Sequence, residues 1–145
     1  MSYSGEAEMI RQLSEFDEVM ADWGRYREQV SLRDVLENRD ARNMVLYTIL
    51  VTIQAAIQAA HHLIVKNYLP KPGTYEETFI ILRKAGILAP QMADGMAQLS
   101  TYRSKLVYSY HQVDLREIYE VLCGEFKALE HYRAKVEKVM KEETK

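Results

Sequence analysis

The sequence predicts an all-α protein, a five-helix and mostly up-and-down bundle. Three observations carry that reading. Apolar residues recur at spacings of three and four along most of the chain, no segment alternates with the period of two that a strand needs, and glycine and proline are scarce, at 6 and 3 of 145 residues. A chain of this length suits one domain, residues 1–145, around one core, and 48% apolar residues suffice to fill it.

The first helix is expected from Glu6 to about Gln29, where Met9, Leu13, Phe16, Met20 and Trp23 form one apolar stripe. Ser31 to Asn38 reads as a polar turn or a short helical step. A long helix follows from about Arg39 to Tyr68. It is apolar around much of its circumference, as a central helix must be, and Ala55, Ala56, Ala59 and Ala60 let neighbouring backbones come close. "LPKPG" (69–73) ends it, because two prolines and a glycine cannot continue a helix. Thr74 and Glu77 have capping-box spacing and start the next helix, which stops at Gly86 as a C′ glycine. Pro90 suits the first turn of another, carried to about Ser109. Asp114 and Glu117 repeat the cap spacing, and one last helix is expected from Leu115 to about Lys141, using Ile118, Leu122, Phe126, Leu129, Val136 and Val139. "KEETK" reads as a solvated tail.

A net charge of −2 gives no overall basic field for nucleic acid, although a local patch remains open. One cysteine, Cys123, allows no internal disulfide and fits a reducing cytoplasm; it reads as a small buried apolar residue. "MSYSGEAEMI" lacks the basic and apolar regions of a signal peptide. The most apolar run, "NMVLYTILVTIQAAIQAAHHLIV", is interrupted by Thr, Gln and His, so it reads as a buried helix, not a membrane span.

The adjacent His61 and His62 point to different sides of a helix, and no Glu-x-x-His or His-x-x-x-His pair supplies metal-ligand spacing. No metal or cofactor is therefore expected, and these histidines read as core-edge residues. The glycines are isolated, so no phosphate-binding loop is present. Arg25, Arg27, Arg33, Arg39 and Arg42 are interleaved with acidic residues and read as a solvated face. "LSTYRSKLVYSYHQVDLRE" (99–117) differs from the rest, gathering Arg103, Lys105, Tyr108, Tyr110 and His111 near a helix end. On a straight helix Arg103 and Tyr110 fall within roughly 20° of each other, bordering an apolar stripe of Leu99, Tyr102, Leu106 and Val113, while Tyr108 lies roughly 140° away. One straight helix cannot aim both tyrosines at one atom. A helix end or a second subunit would be needed.

"RSKLVYSY" resembles the signature of HepT-like proteins, of the HEPN group of prokaryotic helical domains, which reads Arg, four residues, His, one residue, Tyr. Arg103 and Tyr110 match; Ser104 replaces the usual asparagine and Tyr108 stands in the histidine position. "RNMVLYTILVTIQAAIQAAHHLIV", "YLPKPGTYEETFIILRKAGIL" and "YRSKLVYSYHQVDLREIYEVL" also follow the family's order, covering about Arg42 to Leu122.

The resemblance implies a homodimer with two motifs facing a shared cleft. It implies a metal-independent ribonuclease toxin acting on RNA in the cytoplasm, paired with a nucleotidyltransferase antitoxin that transfers AMP to Tyr110. Arg103 would hold the phosphate, since its fork matches phosphate oxygens. Ser104 would support it, and Tyr108 or His111 would take the acid–base role. A tyrosine near pKa 10 is a poor base at pH 7, so the change at position 108 predicts weakened cleavage unless His111 substitutes. The alternative is a non-catalytic HEPN module that binds nucleotide, RNA or a nucleotidyltransferase partner.

Overall fold

The computed structural model describes residues 2–142, without the side chains of residues 2–4 and 6. The expected tail at "KEETK" therefore lies outside the described residues, except for Lys141 and Glu142, which end the last helix. The elements are α1 (Ser2–Gln29), α2 (Leu32–Glu37), α3 (Arg39–Lys66), α4 (Tyr75–Lys84), α5 (Pro90–Tyr108), a 3-10 turn (Tyr110–Gln112), α6 (Leu115–Gly124) and α7 (Phe126–Glu142). The all-α class holds, but the described residues form seven helices, not five.

The first extra helix is α2, the short helical step that 31–38 allowed as an alternative to a polar turn. Ser31 accepts from the Asp34 amide at 3.1 Å while Asp34 accepts from the Ser31 amide at 3.0 Å, a full capping box that nucleates six residues. Its only buried side chain is Val35. Asn38 closes α2 and at once caps α3 through the Ala41 amide.

The second arises because the last helix is broken between Gly124 and Phe126. The indole N–H of Trp23 donates to the Leu122 carbonyl at 2.8 Å. In an unbroken helix that carbonyl would take the Phe126 amide. A side chain inserted into the helical ladder is a recognised cause of a kink, and α7 leaves in a new direction. Phe126 then lies against Gly24 of α1, where a Cβ would stand 3.0 Å from its ring.

α3 is the hub and touches all six of the other described helices. It is long and apolar enough to cross a membrane by composition alone, yet thirteen of its residues are buried inside the bundle, including Val45, Ile49, Ile53, Ala60 and Leu63. It ends at Lys66, two residues before the expected Tyr68. Tyr68 takes a left-handed conformation (φ 54°), and the Leu69 amide bonds back to the Ile64 carbonyl at 3.0 Å. That reversal tucks Leu69 against the core and turns the prolines toward α4. The core beneath α3 is aromatic. Tyr132 of α7 lies between Phe16 and Phe79, with ring centroids at 6.2 and 5.9 Å, and donates to the Ala56 carbonyl at 2.7 Å.

α1 begins at Ser2, four residues before the expected Glu6, and the boundaries from α4 to the start of α6 match the sequence. Thr74 caps α4 through the Glu77 amide at 3.0 Å, with Glu77 reaching back to the Gly73 amide. Gly86, at φ 76°, reverses the chain after α4. Pro90 opens α5, and Asp114 caps α6. Cys123 is half-buried rather than buried.

Candidate functional site

α5 carries the motif and packs against α3. The α5 helix stops at Tyr108. Ser109 adopts φ −132° and ψ 39°, and a single 3-10 turn follows, closed by the Gln112 amide on the Ser109 carbonyl at 2.9 Å. The straight-helix alignment of Arg103 with Tyr110 is thereby broken. Tyr110 hangs on the turn and Asp114 belongs to α6.

At this end Tyr110 is half-buried, and its hydroxyl donates to Asn43 Oδ1 of α3 at 2.7 Å. His111 is exposed and meets the Tyr110 ring edge-on at 5.6 Å. Tyr108 is 78% exposed. Beside them Met44, Tyr47 and Val107 are also exposed, so the α3 start and the α5 end share an apolar surface. Tyr102 locks the junction from inside by donating a short hydrogen bond to Glu117 of α6. Burial, reinforced by that carboxylate, pushes its phenol up to about 12.

Arg103 points the other way. Side chains on a helix lean toward its N-terminus, and the Arg103 guanidinium lies 4.8 Å from the centre of the Tyr75 ring at the start of α4. No carboxylate pairs with it among the described residues. The far side of α3 reaches the same ring: His61 stacks on Tyr75 at 6.5 Å with 29° between planes. His61 Nε2 is 3.2 Å from the hydroxyl of buried Thr78, and partial burial lowers the imidazole pKa below its usual 6.5. An open cavity of about 470 Å³ lies here, bounded by His61, the 72–76 segment, Ser100, Thr101 and Ser104.

The structure thus sets Arg103 and Ser104 beside Tyr75 and its cavity and sets Tyr110 and His111 beside Asn43, with Tyr108 exposed on the last turn of α5. Asn43 and His61 are eighteen residues apart on α3, roughly 27 Å along a helix. Sequence reasoning missed Asn43 and Tyr75 and placed His61 only at the core edge. No local signal marks them, since each acquires its partner across the bundle. Among the described residues no three His, Cys, Asp or Glu side chains group as metal ligands do.

A family model described as Ribonuclease HepT-like matches residues 16–136. The chain belongs to the HepT-like family. The tRNA nuclease HepT of Aphanizomenon flos-aquae is 32% identical to it over 92 residues, 63% of each chain. That match spans less than two thirds of the relative's length. Among solved structures, the fold is similar to YutE from Bacillus subtilis, a cytosolic protein of unknown function, at TM-score 0.82 and 17% identity over 95% of this chain and 92% of that one. It is also similar to a tri-AMPylated Shewanella oneidensis HEPN toxin in complex with its MNT antitoxin, at TM-score 0.80 and 14% identity over 90% and 96%. At these identities the structures share the HepT-like fold. The HepT-like match includes all of α2 to α6, and so both ends of the motif helix.

Proposed function

We propose that the chain is the toxin half of a toxin–antitoxin pair: a metal-independent ribonuclease in the cytoplasm, with tRNA as its substrate class, restrained by a nucleotidyltransferase antitoxin. The observation that carries this is Arg103, a half-exposed guanidinium that no carboxylate among the described residues neutralises, over the Tyr75 ring that borders a cavity rimmed by hydroxyls in a HepT-like fold. Such a group matches phosphate oxygens and stabilises the charge that builds on phosphorus during strand cleavage. Ser104 stands beside it.

Tyr110 is the AMP acceptor in this reading. Asn43 holds its hydroxyl at the surface end of α3, where a partner enzyme can reach it. The AMP-bearing toxin with its MNT antitoxin supports that assignment. His111 meets Tyr110 while the Arg103 guanidinium meets Tyr75, so in this reading a second copy brings Tyr108 or His111 to the guanidinium. The exposed apolar surface of Met44, Tyr47, Val107 and Tyr108 supports such a homodimer.

The test is tRNA cleavage and growth arrest on expression, both expected to be lost in Arg103→Ala. Full activity in that variant would remove Arg103 from the mechanism. Tyr108 in the histidine position favours a second reading, a non-catalytic module that binds RNA, nucleotide or the antitoxin. Absence of cleavage both in the wild type and in Tyr108→His would select it.

A further inference from the structure

We propose that His61 is the acid–base residue of the site that Arg103 serves, and that the cavity between α3, α4 and α5 holds the reacting nucleotide. This rests on the ribonuclease reading and names the group that position 108 fails to supply.

The first support is placement. His61 and Arg103 both lie against Tyr75, whereas His111 lies with Tyr110 at the Asn43 end. Of the four histidines, His61 is the one that lines this cavity, and it shares the Tyr75 ring with Arg103. At about 470 Å³ that cavity falls in the size range of small-ligand sites.

The second support is the hydrogen-bond arrangement. The Thr78 hydroxyl donates its single hydrogen to the Thr74 carbonyl at 3.1 Å. Toward His61 it can therefore only accept, so His61 Nε2 carries the proton and Nδ1 carries a lone pair. Thr78 fixes the tautomer much as a triad carboxylate orients its histidine. Along the cavity wall Ser100 and Thr101 give their hydrogens to the Ala97 and Gln98 carbonyls, at 2.6 and 2.7 Å, so both present lone pairs to donors on a sugar or base. Partial burial keeps His61 neutral at pH 7, the state a base requires.

In the step, Nδ1 takes the proton of a ribose 2′-OH. The 2′-oxygen bonds to phosphorus and the bond from phosphorus to the 5′-oxygen breaks. The 5′-oxygen takes a proton from solvent, and the imidazolium returns one to solvent. The products are a 2′,3′-cyclic phosphate and a 5′-hydroxyl, and no water is consumed. Arg103 stabilises the phosphorane charge.

Tyr75 and Glu76 of α4 line the cavity with His61, Arg103 of α5 lies over the Tyr75 ring, and Glu8, Arg11 and Glu15 approach from α1, with His62 beside it on α3. Arg11 holds the Glu8 carboxyl below its usual value, so their pairing persists across the range in which an imidazole titrates.

The experiment measures tRNA cleavage by the full chain from pH 5 to 8. Wild type should show an acid limb from a single imidazole, and His61→Gln, which keeps a donor toward Thr78, should cut at least 100-fold more slowly and lose that limb. His131→Gln, at an exposed histidine outside this cavity, should change the rate less than threefold. Equal rates and the same profile in His61→Gln overturn the role of His61 while the ribonuclease reading stands. A wild type that leaves tRNA intact overturns both. A second measurement needs no variant activity. In wild-type protein, a 2′-O-methyl oligoribonucleotide, which cannot be cut, should shift the His61 ring signals in NMR spectra; shifts confined to His111 and His131 overturn the placement.

Discussion

The two ends of α3 treat the motif differently. At the Asn43 end the fold presents a phenol on a short 3-10 turn, held by a single amide and surrounded by exposed apolar side chains. At the His61 end it presents an arginine and an imidazole on one tyrosine ring, above an open cavity. Residues seven apart in the chain are thus sent to different neighbourhoods. The cause is local: α5 ends between them, and side chains on its last turns lean back along the helix. Under the proposed function, one short signature carries two roles, with cleavage at one end of α3 and modification at the other.

Substituting each end separately tests that division. The largest effect is expected from Arg103→Ala, which should slow tRNA cleavage by about 100- to 1,000-fold, the usual loss for a group that stabilises transition-state charge. Tyr110→Phe should keep cleavage within about threefold of wild type, because the phenol hydroxyl serves only as acceptor in this reading. Intact mass after incubation with antitoxin and ATP should then show AMP on the wild type and none on Tyr110→Phe. A Tyr110→Phe protein that loses cleavage would merge the two ends again.

A change remote from both ends should move them together. Trp23→Phe removes the indole N–H from Leu122 and shrinks a fully buried side chain. A loss of about 1–3 kcal/mol is expected, read as a lower melting temperature with kcat and AMP acceptance unchanged at 20 °C.

The His61 end should also leave a mark on stability. Its pKa in the fold is lowered by burial from about 6.5. As pH falls below that value the unfolded chain binds a proton that the folded chain resists, so stability drops, and it levels off beneath the folded pKa. Wild type should therefore lose more melting temperature between pH 6.5 and 5 than His61→Gln does. The smallest effect belongs to Asn43→Ala. Freeing the Tyr110 hydroxyl should change the rate of AMP acceptance by only a few-fold, with cleavage untouched, as paired kinetic assays on the two reactions would report.

Much of the fold was readable because its signals are local. Thr74 with Glu77, Gly86, Pro90 and Asp114 act within a turn of where they stand, and each marks a boundary the structure keeps. The break at Gly124 was unreadable for the opposite reason. Its cause is an indole 99 residues away, and the apolar spacing runs through the break unchanged. The site divides along the same line. Arg103 and Tyr110 are visible as a motif, but their partners Tyr75 and Asn43 come from other helices. His61 was seen, and its stack on Tyr75 was not, because the "LPKPG" turn that delivers Tyr75 states where α3 ends and not where the chain goes next.

The hydrogen bonds from Trp23 to Leu122 and from Tyr132 to Ala56 have a consequence for how the protein is made. They span 99 and 76 residues, so neither closes until α6 and α7 have left the ribosome. α3 and α5, which bear His61 and Arg103, are translated before Tyr132, the residue that bonds to α3 at Ala56. A nascent chain therefore carries those residues without the scaffold that aligns them, and under the proposed function the translation machinery is spared until α7 emerges.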